Sequence, residues 1–260
     1  MNNIQQLTFA IPELEKMKKY PKEIFYIGNL ELLKRKKVSL VGSRRPSSYT
    51  KQYTHYLAKH LSLNGIVVVS GAAMGVDAIA HSAAGAHNTI AVAGNGLDLR
   101  YPTINNKLIQ DIEQQGLMLS QFKPETPSIH YNFPIRNEFV VALGDVLIVT
   151  QADLDSGTMR SVEYALKMGK EIYVLPHRIG ESEGTNKLLE NNQVKVIYNA
   201  DEFIKSICFC TDECGVEDDF LLYCKNNPTY DEAMDKYPSK VFEYELSGKI
   251  FVENGLVSVV

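Results

Sequence analysis

The sequence predicts an α/β protein built on a doubly wound, mostly parallel sheet, with a small winged-helix-like module towards its C-terminus. Three observations carry this. Short β-branched runs alternate with helix-length segments from Val38 to Ile197, the pattern of a parallel sheet covered on both faces. Four of these runs end in small-residue turns: Gly42-Ser43, Ser70-Gly71, Gly94-Asn95-Gly96 and Ser156-Gly157. Near residue 205 the composition turns acidic and cysteine-bearing, and short helical segments lead into a hairpin pattern.

Taken in order, residues 1–37 form a lead-in. It closes on Lys34-Arg35-Lys36-Lys37, expected to be a solvated helix end, as charge runs usually are. Residues 38–205 form the main domain. Strands are expected at 38–41, 66–70, 89–93, 117–120, 146–150, 172–175 and 194–197, short and mostly apolar runs, of which 66–70 and 89–93 are the clearest β-branched ones. Helices are expected at 49–63, 76–86, 104–115, 158–168 and 186–190. In the module, residues 206–260, helical stretches at 219–224, 230–235 and 240–246 precede β-like stretches at 249–252 and 256–260. Glu253-Asn254-Gly255 is the hairpin turn between them.

With 260 residues, 45% of them hydrophobic, the chain can bury one large core plus an appendage. It holds no run of about 18 apolar residues, so a membrane-spanning helix is not expected. Met1 to Gln6 is polar without a signal-peptide core, and no cysteine precedes Cys208; a cytoplasmic location follows as the expectation. The formal charge is −4, but residues 205–260 hold 5 Lys against 11 acidic residues, leaving the rest at +2. The acidic module is therefore expected to avoid a phosphate backbone. Its candidate recognition stretch carries Lys240 against Glu243 and Glu245.

In open parallel sheets the ligand sits at the carboxyl ends of the strands. There Val38-Ser39-Leu40-Val41 runs into Gly42, Ser43, Arg44 and Arg45, followed by Pro46 and a helix. Such a corner offers backbone N–H groups, a helix dipole and two fixed charges to a phosphate. Ser70-Gly71-Ala72-Ala73-Met74-Gly75-Val76-Asp77 is a second such corner. Asp77 and His81 share a helix face; a capping carboxylate and a buried, satisfied histidine are favoured over an acid/base pair. The stretch from His130 to Glu138 sets Phe133 beside Arg136 and Asn137. Either the ring stacks on a base while the arginine meets phosphate, or Phe133 is core and Arg136 pairs with Glu138 or Asp145. Arg100-Tyr101-Pro102 is a further aromatic-basic turn. No nucleophile elbow, Walker lysine, His-Glu-x-x-His or Gly-x-Gly-x-x-Gly pattern occurs, so neither catalysis nor a cofactor is expected. Cys208, Cys210, Cys214 and Cys224 lack the paired knuckles of structural zinc sites, and no metal is expected.

These motifs resemble the DNA-processing protein A family (DprA, also called Smf), over about residues 20–203. The resemblance rests on Val41-Gly42-Ser43-Arg44 with Pro46-Ser47, Ser70 to Asp77 with His81, and Gly96-Leu97-Asp98 with Tyr101-Pro102. It rests equally on Phe133-Pro134 with Arg136-Asn137, and on Ser156-Gly157-Thr158. It implies an extended Rossmann-like fold, a homodimer that binds single-stranded DNA in natural transformation, delivery of that DNA to the RecA recombinase, and no enzymatic activity. By motif, Gly42, Ser43, Arg44 and Arg45 would hold phosphates and Phe133 and Arg136 would line the groove. Ser70, Gly71, Gly75, Arg100, His130, Asn137, Ser156 and Gly157 stand at the same turns, and Lys167 and Lys170 at the end of the following helix. Glu138 departs from the family's usual second arginine; it is expected to remove a positive charge from the groove. The rival is a phosphoribohydrolase acting on nucleoside monophosphates, similar to the lysine-decarboxylase-like enzymes. Those carry a Pro-Gly-Gly-x-Gly-Thr turn and a nearby glutamate. Here the turn is Asp155-Ser156-Gly157-Thr158, and the nearest glutamate is Glu163, five residues on.

Overall fold

The structure is a computed structural model that describes residues 4–209, 219–224, 226–246, 248–253 and 255–259. It divides into two compact units, Met1–Cys208 and Phe209–Val260. Cys210 and Cys214 lie outside the described residues.

The first unit opens with β1 (Gln5–Gln6) and β2 (Phe25–Gly28). Then come β3 (Lys37–Val41), α1 (Ser48–Leu63), β4 (Val67–Ser70), α2 (Val76–Ala84) and β5 (Thr89–Val92). α3 (Asn106–Gln115), β6 (Leu117–Ser120), α4 (Asn132–Leu143), β7 (Val146–Val149) and α5 (Gly157–Lys167) follow. β8 (Ile172–Val174), α6 (Glu183–Glu190), β9 (Lys195–Val196) and α7 (Ala200–Phe209) complete it. The strands form one nine-stranded sheet in the order β1-β2-β6-β5-β4-β3-β7-β8-β9. From β6 to β9 neighbours pair in parallel; β1 and β2 add an antiparallel edge. The segment 1–37 thus supplies two strands, and its Ile11, Leu14, Leu32 and Leu33 are buried in the core.

The strands sit centrally because they are apolar on both faces. Val38 and Leu40 pack with Leu57 and Leu61 of α1, Ala80 of α2 and Phe203 and Ile207 of α7. Val41, Val67 and Val69 pack on the other face with Phe139 and Val140 of α4 and Val162 of α5. Each fully buried Val or Leu contributes about 1.5–3 kcal/mol. The polar exception, Ser39, donates its hydroxyl to the Val140 carbonyl at 2.6 Å.

The basic run at 34–37 is a solvated helix end only in its first half, where Lys34 closes a short 3-10 helix and is exposed, as is Arg35. Lys37 is buried: its Nζ pairs with Glu13 at 2.6 Å and donates to the Leu33 and Arg35 carbonyls at 2.7 and 3.0 Å. Arg35 donates to the Gly65 carbonyl at 2.7 Å, and Lys36 to that of Ile207. Lys37 opens β3 with its stem inside the core, so its amine must find partners there.

The second unit holds α8 (Asp219–Cys224), α9 (Tyr230–Lys236), α10 (Pro238–Leu246) and the antiparallel hairpin β10 (Ile250–Glu253) with β11 (Leu256–Val259). Phe220, Cys224, Ala233, Val241, Ile250 and Val257 form its own small core. α9 begins with a capping box between Thr229 and Glu232. Among the described residues no helix is long and apolar enough to cross a membrane.

Candidate nucleic-acid interface

The sheet order reverses between β3 and β7, because β4 to β6 lie on one side of β3 and β7 to β9 on the other. Beyond the carboxyl ends of these strands lies a crevice of about 410 Å³, where doubly wound sheets bind ligands. Its walls are the turn after β3, the loop after β4, the first turns of α4 and the loop leading into α5.

The β3 turn is held tightly. A Cβ on Gly42 would lie 2.8 Å from Val76 Cγ2 and 2.9 Å from Thr150 Oγ1, so a side chain has no room. The Val76 N–H donates to the Ser43 carbonyl at 3.1 Å, and the Arg45 N–H to the Ser43 hydroxyl at 3.1 Å. Gly75 takes φ +80° and packs against the Ser43 and Arg44 carbonyls, a conformation that L side chains rarely adopt. The outcome is that Arg44 and Arg45 are both exposed. Among the described residues neither forms an ion pair.

Phe133 stands on the opposite wall and is half-buried rather than core. Its ring centroid lies 5.4 Å from the Arg44 guanidinium carbon and 6.0 Å from that of Arg136, within cation–π range. The Tyr101 ring is 6.1 Å away, and Tyr101 is 49% exposed. His130 is exposed on the same wall.

Arg136 behaves differently from Arg44. It is buried, donating from one terminal nitrogen to the Val92 carbonyl at 2.9 Å and to that of Gly71, and from Nε to Asn137 Oδ1 at 3.1 Å. Asn137 in turn donates to the Gly157 carbonyl at 3.4 Å. Arg136 therefore ties the ends of β4 and β5 to the start of α5. Its charge reaches the crevice: Nε and one terminal nitrogen are engaged, while the other terminal nitrogen makes no hydrogen bond among the described residues. Neither carboxylate expected beside it is its partner. Glu138 accepts the Lys18 N–H at 2.7 Å and Asp145 the Lys37 N–H at 3.0 Å. Glu138 lies on the far side of α4, so it does not remove charge from this crevice.

The floor is a buried polar chain. The Ala72 N–H donates to His81 Nε2 at 3.3 Å, and His81 Nδ1 lies 2.6 Å from the Thr89 hydroxyl, which donates to the Val68 carbonyl at 2.7 Å. With Nε2 accepting, the ring proton belongs on Nδ1. Burial, aided by the Arg136 charge, lowers the His81 pKa from 6.5 to about 3, so the ring is neutral. Asp77 accepts the Ala73 N–H at 3.3 Å. Burial raises its pKa and the Arg136 charge pulls the other way. The pair braces the loop, as favoured from sequence.

The third wall is the N-terminus of α5. The Ser156 hydroxyl is buried without a hydrogen-bond partner among the described residues, beside Gly157 and the first N–H groups of the helix. Thr158 donates to the Gly42 carbonyl at 3.1 Å, and Arg160 lines the opening with Asp153 and Asp155. Thr158 and Arg160 were not among the expected site residues. The signal was present in the Ser-Gly-Thr turn and in the spacing of Arg160, three residues after Gly157.

Other expected residues lie elsewhere. Ser70 is buried and donates to the Leu40 carbonyl at 2.7 Å. Arg100 is turned away, its guanidinium held by both carboxylate oxygens of Glu113 at 2.7–3.1 Å, and its neighbour Tyr101 faces Phe133 instead. Lys167 closes α5, about 15 Å along the helix from Gly157. Lys170 follows it, donating to the Ala142 carbonyl at 2.6 Å and to that of Gly144. Both lysines are at the amino end of the sheet.

The sequence matches the family model described as DNA recombination-mediator protein A over residues 8–208. It is 33% identical to protein Smf of Escherichia coli K12 over 206 residues, covering 77% of this chain and 55% of that one. It is 37% identical to DNA processing protein DprA of Streptococcus pneumoniae R6 over 174 residues, covering 65% of this chain and 61% of that one. The chain thus spans less than two thirds of the length of these relatives. Among solved structures, DNA processing protein A of Helicobacter pylori, studied for its single-stranded DNA binding mode, superposes with a TM-score of 0.78 at 42% identity. That match covers 82% of this chain and 99% of the other.

Proposed function

We propose a function for this chain, which belongs to the DNA recombination-mediator protein A family: it binds single-stranded DNA in natural transformation and, as a homodimer, delivers that DNA to the RecA recombinase. One observation carries the DNA-binding part. An aromatic ring, Phe133, opens onto a strand-end crevice beside an exposed arginine, Arg44, that has no carboxylate partner among the described residues. Bases stack on such a ring and phosphates meet such a cation. Arg45, the Gly42-Ser43 backbone and the α5 N-terminus, with its unpartnered Ser156 hydroxyl, complete an anion-binding rim. In this reading Arg136 and Asn137 position the walls. The Helicobacter relative, whose single-stranded DNA binding was studied, supports it. Glu163, the base a phosphoribohydrolase would need, is exposed on α5 and does not line the crevice.

The test is the Arg44→Ala/Arg45→Ala double variant, titrated with labelled single-stranded DNA across a salt series. Affinity is expected to fall, and the slope of log affinity against log salt to flatten by about 0.7 for each lost phosphate contact. A folded double variant with unchanged affinity and slope would falsify the assignment.

A further inference from the structure

A second cleft, of about 420 Å³, lies on the other side of α4. Residues 17–23, leading into β2, form one wall and the segment after β6 the other, with Glu138 of α4 between them. Lys18, Lys19, Lys22 and Lys123 line it, against two carboxylates. Glu23 pairs with Lys123 at 3.1 Å, and Glu138 accepts the Lys18 backbone N–H. Lys18, Lys19 and Lys22 are exposed, and none forms an ion pair among the described residues. Gln121 also lines the cleft, with its Nε2 buried and without a hydrogen-bond partner among the described residues. A buried donor left unmatched is costly, and here it lies among unpaired cations.

Topology puts both clefts at one edge of the sheet. β6 runs parallel to β5, β4 and β3, so Gln121, after Ser120, emerges at the same carboxyl edge as Gly42 and Gly71. Phe25 pairs with Ser120, so residues 17–23 reach that edge too. Only the first turns of α4 separate the clefts, a barrier of about 10–12 Å, the width of a helix with its side chains. On that barrier stands Tyr131, 83% exposed, next to His130 on the rim of the first crevice.

We propose that the lysine cleft is a second phosphate-binding subsite for the same DNA strand. The strand leaves the first crevice, crosses the N-terminal end of α4 past Tyr131, and continues between the lysines. Lysine is a mobile point charge without bidentate geometry, suited to a backbone held irrespective of sequence, and an exposed tyrosine gives a crossing base a stacking face. This rests on the single-strand-binding reading above and extends it by direction and length.

The experiment titrates the full chain with labelled oligothymidylates of about 4 and about 16 nucleotides across a salt series. The Lys18→Gln/Lys19→Gln/Lys22→Gln variant is expected to bind the long strand about tenfold more weakly, with a salt slope flatter by about 0.7 per lost contact, and the short strand as before. Gln121→Glu, which places a charge in the cleft, is expected to weaken only the long strand. Unchanged long-strand affinity and slope in the folded variants, or equal losses for both lengths, would overturn the subsite. Arg44→Ala serves as the control: it should weaken both lengths. If Arg44→Ala leaves both lengths intact, the first crevice is wrong, while the length dependence of the lysine variants still decides the second.

Discussion

The two ends of the central sheet carry the same basic residue types in opposite states. At the carboxyl end, Arg44 and Arg45 are exposed and without ion pairs among the described residues. At the amino end, Arg35, Lys36, Lys37 and Lys170 are all bound to backbone carbonyls, those of Gly65, Ile207, Leu33, Ala142 and Gly144 among them. The cause is the winding of the chain. Helices that connect parallel strands run back against them, so helix C-termini gather at the amino end. There the last carbonyls lack partners and attract cations. Helix N-termini gather at the carboxyl end, where N–H groups are the unmatched ones and a free cation adds to an anion site. The end of the sheet biases the state of a basic residue without fixing it, since Arg136, at the carboxyl end, is tied to the Gly71 and Val92 carbonyls.

The largest effect should come from breaking the amino end. Lys37→Met removes the buried partner of an ion pair with the part-exposed Glu13 and two carbonyl contacts, and is expected to cost about 1–3 kcal/mol of stability for each carbonyl left unsatisfied. Chemical denaturation measures it. Single-strand affinity per folded molecule should not change, and a loss of affinity without a loss of stability would erase the distinction between the ends.

The mirror experiment breaks the carboxyl end. Phe133→Ala removes a half-buried ring, and is expected to cost about 1–3 kcal/mol in single-strand binding. The salt slope should hold, because no charge is lost. A ring that mattered only for packing would instead show up in the melting temperature, with binding per folded molecule intact.

A pH-dependent effect separates the floor of the crevice from its rim. His81 has its pKa lowered to about 3, so the unfolded chain takes up a proton below about 6.5 that the folded chain refuses. Stability should therefore fall as pH drops from about 6.5 towards 3, by at most about 1.4 kcal/mol per pH unit from this residue. In His81→Gln that part of the pH dependence should vanish. Equal slopes for both proteins over this range would show that His81 is not held neutral.

Much of this was legible in the sequence. The strands from β3 onward follow from short apolar runs, most of them β-branched, and four of the expected turns, at Gly42, Gly71, Gly94 and Ser156, all border the crevice or its continuation. α4 was not legible as a helix. Its stretch Asn132-Phe133-Pro134-Ile135-Arg136-Asn137-Glu138 carries Pro134 in the first turn, tolerated there because that N–H has no partner in a helix. Its second half, Phe139 to Leu143, is buried all round, which erases the 3.6-residue periodicity. β1 gives no signal because Gln5-Gln6 is a polar, exposed two-residue edge strand, whereas β2 was missed although it lies in the apolar run Ile24-Phe25-Tyr26-Ile27.

By itself, the sequence determined the α/β class, the succession of the central strands along the chain, the family and the corner where Arg44 and Arg45 would stand. These are local properties: a residue's period, its turn chemistry and the spacing of short motifs. Only the tertiary structure decided which cations are free. Arg100 is taken by Glu113, Lys37 by Glu13, and Arg136 by carbonyls of Gly71 and Val92. Glu138 faces Lys18, 120 residues away in the chain, and so lines a second, lysine-rich cleft instead of the first. Charge is written in the sequence, but the partner that neutralises it comes from another strand or helix, and only packing brings the two together.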